Sequence, residues 1–144
     1  MEKKNLDWKH IGFAYHTTDY RYVADYKDGK WQEGYMSDSP NIVLNECAGI
    51  MQYCQEVFEG LKAYETADGR IVTFRSDLNA DRMYHSAERM EMPPFPKERF
   101  IEAVEKVVKA NEAWVPPYGS GLICLQTFEY FLTIHVCIKP CYRC

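Results

Sequence analysis

The chain has 144 residues, 47% of them hydrophobic, 15% aromatic and 26% charged, enough for one globular domain with a real core and too few for a typical two-domain enzyme. A formal net charge of -4 argues against nucleic acid or an anionic membrane as partner, because phosphates reward clustered Lys and Arg. No apolar run approaches the ~20 residues that span a bilayer.

The opening MEKKNLDWKH is charged and lacks the apolar stretch of a secretory signal, so a cytoplasmic protein is expected. Residues 12–36 alternate aromatic and polar positions through Tyr20, Tyr22, Ala24 and Tyr26, broken by Asp28-Gly29 before Trp31. That pattern predicts a β-hairpin, since both turn positions want φ > 0. Ser37-Asp38-Ser39-Pro40 punctuates a loop, and Asn41–Leu44 reads as a short strand.

From Glu46 to about Gly60, the residues Ile50, Tyr53, Cys54, Val57 and Phe58 recur at helical spacing, with Gly60 where a helix would stop. Leu61–Tyr64 and Ile71–Arg75 flank Ala67-Asp68-Gly69 as a second hairpin. Ser76-Asp77 is an N-cap for a helix to roughly Met92, closed by Pro93-Pro94. On that helix Met83, Ala87 and Met90 share one face, and Arg82, Ser86 and Arg89 another. Pro96 opens a third helix with a core face of Phe100, Ile101, Val104, Val107 and Val108, ending near Trp114. Leu122 to Cys144 is apolar without a helical period. The order predicts an α+β domain with an antiparallel sheet and two or three helices, the tail left unassigned.

Three stretches in order resemble the branched-chain amino-acid aminotransferases, fold type IV enzymes that depend on pyridoxal phosphate. They are FAYHTTDY at Phe13–Tyr20, FEGLKAY at Phe58–Tyr64 following Tyr53, and LNADRMYHSAERMEMP continuing through KANEAWVPPYGSG. The resemblance runs from residue 5 to about 121 and implies the family's N-terminal small domain. It also implies transamination of Leu, Ile or Val with 2-oxoglutarate in branched-chain amino-acid biosynthesis, with pyridoxal 5'-phosphate as cofactor. The partners it implies are an amino acid, a 2-oxo acid and a second subunit of a homodimer.

By the same resemblance, Arg82 binds the cofactor phosphate, for which a planar guanidinium fork is suited. Tyr53 and Phe58 match positions lining the pocket for the branched side chain, where burial of each methylene discriminates by roughly 1–3 kcal/mol. Phe58 is expected to be exposed at a helix end. Lys62 stands at a family-typical basic position without an assigned role, and His85 shares a helix with Arg82 but is expected to be solvated. His10, His16 and His135 have no carboxylate or thiol at convincing spacing.

The resemblance places the Schiff-base lysine beyond residue 144, and none of the lysines present sits in a matching motif, so no catalytic residue is assigned and the chain alone is expected to be inactive. After Gly121 the family continues into a strand and an Arg-Pro pair, whereas this chain reads LICLQTFEYFLTIHVCIKPCYRC. Residues 1–121 are therefore read as the family domain and 122–144 as a divergent, Cys-rich tail. A frameshift, a mis-called gene end or an alternative splice end produces such a pattern.

The six cysteines leave a further reading open, with four of them in the last 21 residues. Without a secretory start they are expected to be free thiols. A small zinc module through Cys137, Cys141 and Cys144, with Cys124 or His135 as fourth ligand, is an alternative. Others are a non-catalytic dimerisation partner or fragment, and another fold type IV enzyme such as a D-amino-acid aminotransferase.

Overall fold

A computed structural model of the chain describes residues 2–12, 15–130 and 135–141, the last segment by its backbone alone. Phe13 and Ala14, which open the first of the three resembling stretches, lie outside the described residues.

The first hairpin forms as its alternation predicts. Strands β1 (Arg21–Lys27) and β2 (Lys30–Trp31) pair with Lys27 opposite Lys30, leaving Asp28 and Gly29 at φ 54° and 75°. Two successive positive φ values are what a two-residue type I′ turn demands. A short β3 (Tyr35–Ser37) returns along β1. No strand forms over Asn41–Leu44. There the Arg21 guanidinium bonds the carbonyls of Ser39 and Asn41, both at 2.6 Å, and backbone acceptors held by a side chain are not offered to a ladder.

The helix expected from Glu46 to Gly60 is only α1 (Gly49–Tyr53), stopped by Cys54 in the left-handed region at φ 51°. Residues Glu56–Glu65 form the ten-residue strand β4 instead. Its burial alternates strictly, with Val57, Glu59, Leu61 and Ala63 inward and Glu56, Phe58, Gly60 and Lys62 outward. Gly60 is thus a mid-strand residue, and Phe58 is exposed on a strand rather than at a helix end. The alternation was hidden because its inward set contains a glutamate and its outward set a phenylalanine. β5 (Ile71–Thr73) folds back on Ala63–Glu65 as the second hairpin.

Helix α2 (Ser76–Arg89) begins without a side-chain capping bond, so Ser76-Asp77 is not its N-cap. Arg75 occupies that position at φ 51°, and Asp77 in the first turn accepts from the Arg75 guanidinium at 2.8 Å. A carboxylate there also meets the positive end of the helix dipole. Helix α3 (Lys97–Ala110) follows Pro96 and buries Phe100, Ala103, Val104 and Val107; a 3-10 turn (Glu112–Trp114) ends it.

The tail supplies β6 (Ile123–Tyr130) and β7 (His135–Cys141). Among the described residues the strands make one antiparallel sheet of seven, in the order β2-β1-β7-β6-β4-β5 with β3 also on β1. β6 pairs with β4 from Glu56↔Tyr130 to Ala63↔Ile123. One sheet face packs on α2 and α3 through Val57, Leu61, Ala63, Leu125, Met83, Phe100 and Val104. Asn111 ties the helix layer to β1: its side chain accepts from the Tyr20 amide at 3.0 Å and donates to the Tyr20 carbonyl at 2.8 Å. The α+β expectation holds, with two long helices and one short one.

Candidate cofactor-binding site

A glutamate pointing inward from the middle of a sheet needs a partner, because an unpaired buried charge costs several kcal/mol. Glu59 is 8% exposed and has two such partners, both on α2. Arg82 donates through Nε to Glu59 Oε1 at 2.9 Å and through Nη2 to Oε2 at 2.7 Å. Asn79, three residues earlier and on the same helix face, donates through Nδ2 to Oε2 at 2.8 Å and to the Gly60 carbonyl at 3.1 Å. On the strand itself, the Glu59 carbonyl accepts from the Thr127 hydroxyl of β6 at 3.2 Å.

The arrangement uses one edge of the Arg82 guanidinium and leaves the other. Its side chain is 64% exposed, and Nη1 makes no bond among the described residues. Pairing with Glu59 holds the Arg82 pKa above its ordinary value, through hydrogen bonding first and charge second. A permanently charged fork with one edge clamped and one edge in water suits an incoming phosphate. His85, one turn along, is 65% exposed and sits 2.9 Å from Glu88 Oε2; it joins the clamp by no bond among the described residues.

The two expected pocket residues lie elsewhere. Phe58 neighbours Glu59 on β4, so the two side chains leave opposite faces of the sheet. Phe58 and its cross-strand partner Phe128 line a recess of about 300 Å³ with Arg21, Pro40, Ile42 and Gln126. Tyr53, at the end of α1, is 82% exposed and does not line that recess. Lys62 lies on the Phe58 face and borders a recess of about 500 Å³ beside Trp8, Lys9, His10 and Gly121. The structure therefore joins Arg82 to Glu59 and Asn79, and separates it from Phe58 by the thickness of the sheet.

Glu59 and Asn79 were missed in the sequence. Glu59 stands within the FEGLKAY stretch, but as the end of a helix it had no reason to be buried. Once β4 is a strand, a lone acid among the inward positions Val57, Leu61 and Ala63 signals a cation across from it.

Two expectations about cysteines and histidines change. Cys47 and Cys54 are exposed free thiols, as expected, whereas Cys124 is disulfide-bonded. It is fully buried in β6, opposite Cys141 in the backbone register. The side chains of Cys137, Cys141, Cys144 and His135 lie outside the described residues; among those described, no group of three or more metal-ligating side chains forms. His10 does have a carboxylate partner, Asp7 Oδ2 at 2.9 Å, on the exposed surface.

Solved structures carry the same fold. The branched-chain amino acid aminotransferase of Thermobaculum terrenum, in its PLP-form, matches with a TM-score of 0.65 at 18% identity, over 89% of this chain and 41% of that one. That of Thermoproteus uzoniensis, with norvaline, matches with a TM-score of 0.64 at 18% identity, over 85% and 40%. The fold is thus that of the N-terminal domain of these aminotransferase structures. No family model matches the chain.

Sequence relatives narrow the class. The chain is 48% identical over 118 residues to the branched-chain-amino-acid aminotransferase of Haemophilus influenzae, covering 82% of this chain and 34% of that protein. To the Helicobacter pylori enzyme of the same name it is 40% identical over 138 residues, covering 95% and 41%. The chain is thus a partial homologue of branched-chain-amino-acid aminotransferases, spanning between 34% and 41% of the length of these two relatives.

Proposed function

We propose that this chain forms the phosphate-holding wall of a branched-chain aminotransferase site, with Arg82 gripping the phosphate of pyridoxal 5'-phosphate. The observation that carries this reading is the free outer edge of a guanidinium whose inner edge is clamped by Glu59. When bound, the cofactor supplies an electron sink for moving an amino group between an amino acid and a 2-oxo acid. What this chain adds is charge and orientation at the phosphate end, where a bidentate fork fixes the cofactor's position.

The substrates are Leu, Ile or Val with 2-oxoglutarate, in branched-chain amino-acid biosynthesis, and the working unit is a homodimer. Support for the substrate class comes from the relatives' names. Tyr53 and Phe58 are assigned to the substrate side chain by the resemblance alone. None of the lysines among these residues is assigned the covalent attachment of the cofactor.

Calorimetric titration with pyridoxal 5'-phosphate, and in parallel with unphosphorylated pyridoxal, tests the central part. Weak binding of the phosphorylated form alone is expected, weakened about tenfold in Arg82→Lys through loss of the fork. Equal binding of the two aldehydes would remove the phosphate role.

A further inference from the structure

Arg82 projects from a helix into solvent on a long side chain, and a free arginine of that kind explores many rotamers. Here three contacts remove that freedom. The carboxylate that receives Nε and Nη2 is buried at 8% exposure on the longest strand. Asn79 holds the carboxylate's Oε2 and the Gly60 carbonyl with the same amide nitrogen. Thr127 ties the Glu59 main chain to β6. The guanidinium plane is therefore set by the sheet rather than by the helix that bears the arginine.

Stability does not call for this arrangement, because apolar residues replace buried ion pairs at little or no cost. Glu59 moreover opposes an anion arriving at Arg82, so on charge alone its presence weakens phosphate binding. A carboxylate kept at that position against both costs is explained by what it fixes.

We infer that Glu59, backed by Asn79, is a positioning residue that aims the free edge of Arg82 at the cofactor phosphate. The inference rests on the reading of Arg82 as the phosphate anchor. It goes beyond that reading by assigning the anchor's orientation to a strand residue and an amide that do not touch the cofactor. Asn79 contributes without carrying charge, which separates aiming from electrostatics.

The test uses inorganic phosphate and pyridoxal 5'-phosphate as probes, with dissociation constants measured by calorimetry for the wild-type chain, Glu59→Asp, Asn79→Ala, Arg82→Lys and the Glu59→Asp/Arg82→Lys pair. Circular dichroism and thermal melting report the fold of each. Glu59→Asp keeps the charge but withdraws the carboxylate by one methylene; Asn79→Ala keeps every charge and is the second route if Glu59→Asp unfolds. The inference predicts that each weakens phosphate binding by about five- to tenfold with Arg82 present, and that Glu59→Asp has no further effect once Arg82 is Lys. Weakening in Arg82→Lys with unchanged affinity in folded Glu59→Asp and Asn79→Ala would overturn the positioning role and leave the anchor standing. Equal weakening by Glu59→Asp with and without Arg82 would also overturn it. Unchanged affinity in Arg82→Lys, or no phosphate binding by the wild-type chain, would overturn the anchor itself.

Discussion

The Glu59 carboxylate accepts both hydrogen bonds from one edge of the Arg82 guanidinium, at 2.9 and 2.7 Å, across the junction of β4 and α2. Helix and strand are thereby joined by the same residues that the proposed function places at the phosphate.

Removing one partner is expected to cost more than removing both. Arg82→Leu leaves Glu59 inward and without its cation, and is expected to lower unfolding free energy by about 1–3 kcal/mol. The double variant Glu59→Leu/Arg82→Leu replaces the pair with apolar volume and should recover most of that loss while abolishing phosphate binding. Urea denaturation of the three proteins checks it; a double variant as unstable as the single one would contradict the account.

Glu129 gives the fold a pH dependence. It is fully buried in β6, and among the described residues neither carboxyl oxygen has a close hydrogen-bond partner. Burial, opposed by the Phe95 backbone, pushes its pKa up to about 8 from 4.5. An acid with a raised folded-state pKa binds more protons in the native state than in the unfolded one between those two values. The contribution of Glu129 to stability is then greatest below about pH 4.5, falls as pH rises, and levels off above about pH 8, a loss of a few kcal/mol from this group. Glu129→Gln is expected to flatten that slope and to raise the melting temperature at pH 8. Melting curves from pH 5 to 9 read it; an unchanged slope in the variant would assign the dependence to other groups.

Gly34 has no room for a side chain. A Cβ there would overlap the hydroxyl oxygen and Cζ of Tyr22, which is 4% exposed. Gly34→Ala must displace a packed ring on β1 and is expected to cost about 1–3 kcal/mol. The denaturant midpoint measures it, with Tyr22→Phe/Gly34→Ala expected to regain part of the loss because the hydroxyl oxygen makes the nearest contact.

Asn111 offers a sharper test of how the helix layer is tied to the sheet. Its amide pairs with both the N–H and C=O of Tyr20 and also donates to the Val107 carbonyl at 2.9 Å. Asn111→Ala leaves these backbone groups short of partners and is expected to destabilise by about 1–3 kcal/mol, with faster amide exchange at Tyr20. Unchanged exchange there would show that the amide does not hold β1.

The sequence was legible where one face met water and opaque where it did not. The Asp28-Gly29 hairpin, α2 and α3 each present alternation or a helical stripe with one polar side, and each formed, though α2 is capped at Arg75 and both helices end short of the expected residues. β4 was misread because Glu59 sits among its inward residues and Phe58 among its outward ones, which reverses the ordinary code at two adjacent positions. β6 lies between β4 and β7 and buries residues of both faces, so its run of Ile123, Cys124 and Leu125 carries no period. Arg82 stood out through its motif, as the residue now proposed to hold the phosphate. Glu59 and Asn79 were not, since their significance depends on a strand and a helix meeting.

The most direct measurement of the central claim is calorimetric binding of pyridoxal 5'-phosphate and of pyridoxal by the wild-type chain and by Arg82→Lys. The Arg82 anchor predicts a preference for the phosphorylated form that falls about tenfold in the variant. Equal binding of the two aldehydes by the wild type, or a preference unchanged in Arg82→Lys, would contradict it.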